Sequence, residues 1–139
     1  MERGFLLLPR CATLAAVGAA ALAAGCGEPD PVDDRDGRLR LELTEYALDP
    51  QVIKTSSPAV RIRAVNRGRL THNVAIQEEA EGEGALAQPR VLGSTPTAHP
   101  GETVRTGRAI RLAPGRYRLA CTVANHDTLG EYGTLIVTR

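Results

Sequence analysis

The sequence predicts an all-β domain after residue 38, folded as an antiparallel sandwich or barrel. In several short runs apolar and polar residues alternate with a period of two, which is typical of strands with one buried face. Glycine, proline and asparagine separate these runs at turn-like positions, and helical periodicity is hard to find. Many short strands with such separators favour a two-sheet sandwich or a barrel.

Six runs carry this alternation. The first, 38–43 (RLRLEL), places three leucines on one face, and the second, 59–66 (AVRIRAVN), places Val60, Ile62 and Ala64 opposite two arginines. The other four are 72–77 (HNVAIQ), 108–112 (RAIRL), 116–121 (RYRLAC) and 133–139 (GTLIVTR). Each run has the length and pattern of a half-buried strand, so we expect six strands at these positions.

One segment, 78–101, interrupts the pattern. It is acidic at first and then rich in glycine and proline. We expect a long surface excursion there, with a short helical turn near 85–88. Its glutamates predict a solvated face, with a docking surface for a basic partner as the alternative.

The first 25 residues predict an export signal. Two arginines precede an uncharged apolar run, 11–25, which has signal-peptide length and is short for a bilayer span. Small residues then precede Cys26, and this resembles the lipobox of bacterial lipoproteins, in which the cysteine is lipidated. An ordinary cleaved signal peptide is the alternative. We therefore expect a lipid-anchored protein on the extracytoplasmic face, periplasmic or at the cell surface, with 26–38 as a flexible tether.

Charge and length limit the class of protein. The chain has 17 basic and 16 acidic side chains, and the leader holds two of the former and one of the latter, so the mature chain is formally neutral. This balance gives no reason to expect a nucleic-acid partner. Residues 39–139 have the length of one domain, which we expect to be a monomer.

Cysteine usage points to a metal. If Cys11 leaves with the leader and Cys26 is lipidated, Cys121 has no disulfide partner. An unpaired thiol in an oxidising compartment is either buried as a small apolar side chain or used as a ligand. Cys121 lies at the end of a predicted strand, His126 lies in the following loop, and Glu131 lies just before the next predicted strand. These three positions can converge on one point at the edge of the sandwich.

A second imidazole has to come from elsewhere in the chain. His72 opens a predicted strand, whereas His99 lies in a loose segment before a Pro-Gly turn, so we favour His72 as the ligand and His99 as a surface residue. One thiolate with two histidines in a trigonal arrangement is typical of electron-transfer copper sites.

Two stretches carry a resemblance to a known family. The stretches 71–76 (THNVAI) and 113–137 (APGRYRLACTVANHDTLGEYGTLIV), with the turn 100–104 (PGETV), resemble the cupredoxins, the small blue copper proteins related to plastocyanin and azurin. The resemblance implies a Greek-key antiparallel β-sandwich over 39–139. It also implies copper as the cofactor, with His72, Cys121 and His126 as ligands and Asn73 as a residue that braces the ligand loops.

The chain departs from the family at one ligand. Glu131 stands where these proteins usually have methionine, and the only methionine of the chain is Met1. Three outcomes stay open: Glu131 binds the metal through oxygen, it points to solvent, or the fold has lost its metal. An oxygen ligand would lower the reduction potential and relax discrimination against zinc.

The function that these observations predict is a membrane-tethered copper protein that shuttles one electron between extracytoplasmic redox partners. It would not be an enzyme, because no catalytic triad, phosphate loop or second metal cluster is recognisable. A copper chaperone or buffer is one alternative. An interaction module that has lost the metal is the other.

Overall fold

Eleven strands and one 3₁₀ helix form the part of the chain that the structure describes, residues 27–79 and 89–139 of a computed structural model. The strands are β1 Val32–Asp34, β2 Arg38–Thr44, β3 Ala47–Asp49, β4 Val52–Thr55, β5 Ala59–Asn66, β6 Ala75–Glu78, β7 Val91–Ser94, β8 Thr103–Arg105, β9 Ile110–Arg111, β10 Gly115–Ala120 and β11 Tyr132–Val137. The 3₁₀ helix is His126–Leu129.

These strands form two sheets. One has the order β1-β4-β11-β10-β6-β7, and the other has the order β3-β2-β5-β8, with β9 also paired to β5. The predicted all-β sandwich is confirmed. Most strand pairs in the described residues are antiparallel, but β1–β4, β4–β11 and β2–β5 are parallel, so the sheets are mixed rather than purely antiparallel.

The core lies between the sheets and follows the predicted alternation. In β2 every second residue is buried, and β5 repeats the pattern along most of its length. Fully buried side chains come from both sheets, Leu39, Leu43, Val60, Ile76, Leu119 and Leu135, and from Val74 directly before β6. Burying each such leucine or isoleucine contributes about 1.5–3 kcal/mol. All members of this core lie between residues 39 and 137. The segment 27–139 therefore contains the whole of the described core.

The fold begins earlier than the sequence predicts. β1 lies inside the segment 26–38 that we expected to be a tether, and it pairs in parallel with β4. Gly37 (φ +70°) then turns the chain into β2, and a Cβ at this position would clash with the Ala59 carbonyl oxygen. The predicted leader and Cys26 lie outside the described residues.

The predicted excursion 78–101 also contains a strand. β7 pairs with β6, so the connection between them is shorter than expected. The helical turn predicted near 85–88 lies outside the described residues. Within the described residues, no helix is long and apolar enough to cross a membrane.

Candidate metal centre

Three chain segments meet at one end of the sandwich, which we call the donor pole and define by His72, Cys121, His126 and Glu131. The Cys121 amide donates to the Glu131 carbonyl (3.1 Å), and the Glu131 amide donates to the His126 carbonyl (3.1 Å). His72 is held from the other side by reciprocal backbone bonds with Ala98, of 3.1 and 2.7 Å. Backbone hydrogen bonds therefore fix the positions of all four side chains.

A tight loop returns His126 toward Cys121. Ala124 (φ 45°) and Asn125 (φ 61°) adopt left-handed backbone conformations, and the His126 amide donates to the Val123 carbonyl (2.9 Å). Gly130 (φ +119°) ends the 3₁₀ helix, where a side chain would be strained. This geometry explains how the residues between β10 and β11 bring two donors to one point.

The four side chains present one donor atom each within 4.8 Å of one another. His72 Nδ1 lies 2.7 Å from Glu131 Oε2 and 3.3 Å from His126 Nδ1. His126 Nδ1 lies 3.3 Å from Glu131 Oε2 and 3.8 Å from Cys121 Sγ. Ligand atoms at ~2.0–2.3 Å from one tetrahedral or trigonal metal are ~3.3–3.8 Å apart, so the spacings of His126 Nδ1 fit a single ion. His72 Nδ1 and Glu131 Oε2, which are at hydrogen-bond distance, would have to separate by about half an ångström to share it.

Two observations test whether these residues fit a metal. The Nδ1 atoms of His72 and His126 face each other, and two imidazole lone pairs repel unless a proton or a cation lies between them. Glu131 Oε1, the second oxygen of the carboxylate that reaches into the pole, is buried without a hydrogen-bond partner among the described residues. Buried polar atoms are rarely left unpaired without a functional reason. The donor pole therefore fits a cation at its centre.

Burial disfavours charge on the side chains of the donor pole. It raises the pKa of the Cys121 thiol to about 11 and the pKa of the Glu131 carboxyl to about 7. Burial also lowers the pKa of His72, and repulsion from His126 adds to this effect. A bound cation reverses the balance because it stabilises thiolate and carboxylate directly. Metal binding at neutral pH must therefore release a proton from Cys121.

The predicted site residues are brought together, while His99 lies apart. His72, Cys121 and Glu131 are fully buried and His126 is 7 % exposed. Glu131 therefore does not point to solvent, which removes one of the three outcomes left open by the sequence. His99 is exposed, as expected, and its Nδ1 contacts the Thr71 hydroxyl at 3.4 Å.

Asn73 joins two of the donor-bearing segments. Its side-chain oxygen accepts the Thr122 amide hydrogen (2.8 Å), and its side-chain nitrogen donates to the Thr122 hydroxyl (2.9 Å). Asn73 follows His72 and Thr122 follows Cys121, so these bonds fix the distance between the two donors. Bonds of this kind are what the bracing role implied by the resemblance would require of Asn73.

Replacing Asn73 by alanine should weaken metal binding by about 10–100-fold, the usual cost of losing a residue that orients a ligand. The matched control is Ser57→Ala, because Ser57 also makes side-chain bonds to a backbone segment, but in the turn between β4 and β5. Both changes should lower stability by about 1 kcal/mol for each lost bond. Equal metal affinities of the two variants in a competition titration would contradict the bracing role.

Arg118 is a supporting residue that the sequence does not reveal. It is half-buried, and its guanidinium binds the Asp127 carboxylate at 3.0 Å and lies 5.2 Å from the centre of the Tyr132 ring. Asp127 follows His126, and Tyr132 follows Glu131. Arg118 therefore holds both donor-bearing segments against the outer face of β10. The alternation in 116–121 only predicted that this side chain would point away from the core.

Glu45 supports the loop that leads to His72. Its carboxylate accepts the amide hydrogens of Arg69 and Leu70, the latter at 3.0 Å. The fully buried Asn66 donates to the carbonyls of Leu70 (2.7 Å) and Ala98 (3.0 Å). The sequence carried no signal that Glu45 would cap this loop.

The two-sheet topology and the four-donor pole define a class of structure, the cupredoxin fold. Auracyanin from Roseiflexus castenholzii superposes with a TM-score of 0.63 at 17 % identity, over 76 % of this chain and all of that one. Auracyanin A from Chloroflexus aurantiacus, a blue copper protein, gives 0.57 at 24 % identity, over 73 % of this chain and all of that one.

A third similar structure is reduced rusticyanin, with a TM-score of 0.53 at 13 % identity, over 83 % of this chain and 89 % of that one. No family model and no curated protein matches the sequence. At these identities the likeness shows the fold. The metal and its use have to be argued from the donor pole.

Proposed function

We propose that this chain is a copper protein that carries one electron at a time between extracytoplasmic redox partners, and that it is not an enzyme. The observation that carries the proposal is the convergence of one thiol, two imidazoles and one carboxylate within 4.8 Å in a buried pole. Copper would supply the one-electron exchange between Cu(II) and Cu(I), and the protein supplies the ligands and their rigid support.

The donor set favours copper over other metals. A thiolate with two imidazoles is the ligand combination of electron-transfer copper sites. His72, Cys121 and His126 would provide these three ligands, and Glu131 would occupy the fourth position with oxygen. Similarity to a blue copper protein supports the same assignment. Because an oxygen donor stabilises Cu(II) over Cu(I), we expect a lower potential than with methionine.

Rigid ligands suit electron transfer better than metal release. Asn73 joins the segments of His72 and Cys121, and Arg118 holds the segments of His126 and Glu131. Ligands that keep their positions in both oxidation states need little reorganisation when the electron moves. A chaperone would instead need an open and flexible site. The supports around the donor pole therefore favour the carrier over the copper chaperone or buffer.

The donor pole also offers an approach for a redox partner. The His126 ring is packed edge-on against the Tyr46 ring, with 5.5 Å between centroids. Tyr46, Leu70 and Leu129 are all at least 40 % exposed and belong to segments that border His126 and His72. We propose that a partner docks on this apolar rim. The extracytoplasmic location and the lipid anchor at Cys26 belong to the same proposal.

Direct electrochemistry of copper-loaded residues 27–139 tests the proposal. We expect a reversible one-electron couple. The bound copper should be oxidised and reduced repeatedly without leaving the protein. Reversible reduction with retained copper is the behaviour of a carrier. Release of copper upon reduction would contradict it in favour of a chaperone or buffer, and failure to bind copper would leave an interaction module.

Proton release upon metal binding should reveal whether Glu131 is a ligand. The pKa of Glu131 is raised to about 7, so a Glu131 ligand gives up about one proton at pH 6 and close to none at pH 8. Cys121 gives up one proton at both pH values because its pKa is about 11. The measurement is calorimetric titration with zinc, a redox-inert probe, in buffers of different ionisation enthalpy.

The control for this measurement is Glu131→Gln, which keeps the side-chain size and cannot release the proton. The difference in proton count between the unaltered protein and this variant isolates Glu131 from the histidines. We expect a difference of about one proton at pH 6 that vanishes at pH 8. The same count for both proteins at pH 6 would show that Glu131 stays protonated and does not coordinate.

A further inference from the structure

A cluster of arginines covers part of the outer face of the smaller sheet. Arg38 and Arg40 of β2 lie directly opposite Arg61 and Arg63 of β5, and Arg63 lies opposite Arg105 of β8. We call these five residues the arginine face. All of them are exposed, because the alternate residues of β2 and β5 point into the core. The same residues line a shallow depression of about 270 Å³.

The fold does not compensate most of these charges. Arg38 lies 3.8 Å from Asp36, but the other four arginines have no acidic partner within ion-pair distance among the described residues. Like charges directly opposite each other on a sheet are destabilising. The chain as a whole is almost neutral, with 17 basic and 16 acidic side chains, so this concentration is local. A local cost of this kind is typical of a binding surface.

The arginine face lies away from the donor pole. In the β2–β5 pairing, Arg38 and Arg61 stand at one end and Leu43 and Asn66 stand at the other. Asn66 binds the Ala98 carbonyl beside His72, so its end belongs to the donor pole. Five residues of strand separate the two ends by about 17 Å. A partner on the arginines would therefore leave the donor pole free.

The chemistry of the face points to a phosphate-bearing surface. Guanidinium groups bind phosphate oxygens in a fork-like geometry. Protein interfaces usually need aromatic or other apolar anchors in a packed centre, and the depression is lined by the five arginines with only Ile62 and Thr106 besides. A fluid anionic membrane needs no such anchor, because each arginine near it contributes separately.

The N-terminal sequence places a membrane within reach. Cys26, the predicted lipid-anchor residue, precedes Val32, the first residue of β1, by six residues, which span at most about 20 Å. We infer that the arginine face docks on the phosphate groups of an anionic lipid bilayer. This inference holds whether or not the donor pole carries copper. It predicts a defined orientation, in which the ends of β2 and β5 that carry Arg38 and Arg61 lie on the membrane and the donor pole points away from it.

Acidic side chains on the same sheet support this orientation. Glu42 pairs with Arg67 at 3.2 Å, and Asp49 lies opposite Glu42 on β3. Both carboxylates stand on the half of the sheet nearer the donor pole. Because Arg67 neutralises Glu42, Asp49 is the carboxylate that an anionic bilayer would repel here, while Asp36, 3.8 Å from Arg38, offsets one positive charge at the opposite end of the sheet.

Sedimentation of residues 27–139 with lipid vesicles tests the inference without the anchor. The domain should bind phosphatidylcholine vesicles that contain phosphatidylglycerol and should not bind vesicles of phosphatidylcholine alone. The double variant Arg40→Gln/Arg63→Gln should bind about 25-fold more weakly, since each arginine near an anionic surface is worth roughly five-fold. High salt should abolish the binding.

The matched control is Arg69→Gln/Arg90→Gln, which removes the same charge outside the arginine face and should lose much less than 25-fold. Thermal unfolding of both variants shows that each is folded. Equal losses for the two variants would overturn the inference, because binding would then follow net charge alone. Binding to soluble polyglutamate without binding to phosphatidylglycerol vesicles would also overturn it, in favour of an acidic protein partner.

Discussion

Replacing Cys121 by serine should abolish the intense visible absorption that we expect when copper(II) is added to residues 27–139. The band arises from charge transfer between a thiolate and copper, and Cys121 is the only cysteine in this segment. The serine hydroxyl is a poor ligand at neutral pH, so metal affinity should also fall by orders of magnitude. Titration with copper(II), followed by absorption and spin-resonance spectroscopy, measures both effects.

The control for this prediction is Thr122→Ser, which changes the neighbouring exposed residue and keeps the hydroxyl that contacts Asn73. It should leave the copper band in place. A band that persists in Cys121→Ser would contradict the assignment of Cys121 as a ligand. A metal-free, colourless protein with an intact thiol would contradict the proposed function itself.

Replacing Glu131 by methionine should raise the reduction potential by at least about 170 mV. A unit negative charge 4 Å from the metal is worth about 4 kcal/mol at an effective dielectric constant of 20, and a bonded carboxylate oxygen at ~2.0–2.2 Å lies nearer than this. Copper(II) carries one more positive charge than copper(I), so the carboxylate stabilises copper(II) by about this amount more than copper(I). Losing the carboxylate removes that preference and raises the potential by about 60 mV for each 1.4 kcal/mol, because one electron is transferred. The fully buried position of Glu131 keeps the effect from being screened by solvent.

Two further variants separate coordination from charge. Glu131→Gln removes the charge and keeps an oxygen donor, so it should raise the potential less than Glu131→Met. Asp127→Asn removes a carboxylate that binds Arg118 instead of facing the donor atoms, and it should change the potential only slightly. If Glu131→Met left both spectrum and potential unchanged, Glu131 would not be a ligand.

The strands that were predicted share one property, a half-buried face. β2 alternates strictly between buried and exposed residues, and most of β5 does so too, because one face of each strand packs in the core. β1 has the sequence VDD and no buried residue, so only backbone pairing with β4 makes it a strand. β7 is likewise an edge strand without a fully buried side chain. Such strands leave no periodic signal in a sequence.

The donor pole was largely predictable because its residues are rare. The chain has three histidines and one cysteine after residue 26, which left few combinations to consider. The orientation of Glu131 was not predictable, since it depends on the loop that the left-handed residues Ala124 and Asn125 create. The role of Arg118 was also hidden, because arginine on the outer face of a strand is ordinary until its partners are known.

Copper-edge X-ray absorption of the copper-loaded domain tests the central claim most directly, because it identifies the atoms bound to the metal. If the donor pole holds copper, the spectrum should show one sulfur neighbour and two imidazoles at bonding distance, with a further oxygen if Glu131 coordinates. The sulfur contribution should vanish in Cys121→Ser. A copper ion surrounded only by oxygen and nitrogen in the unaltered domain would contradict the account.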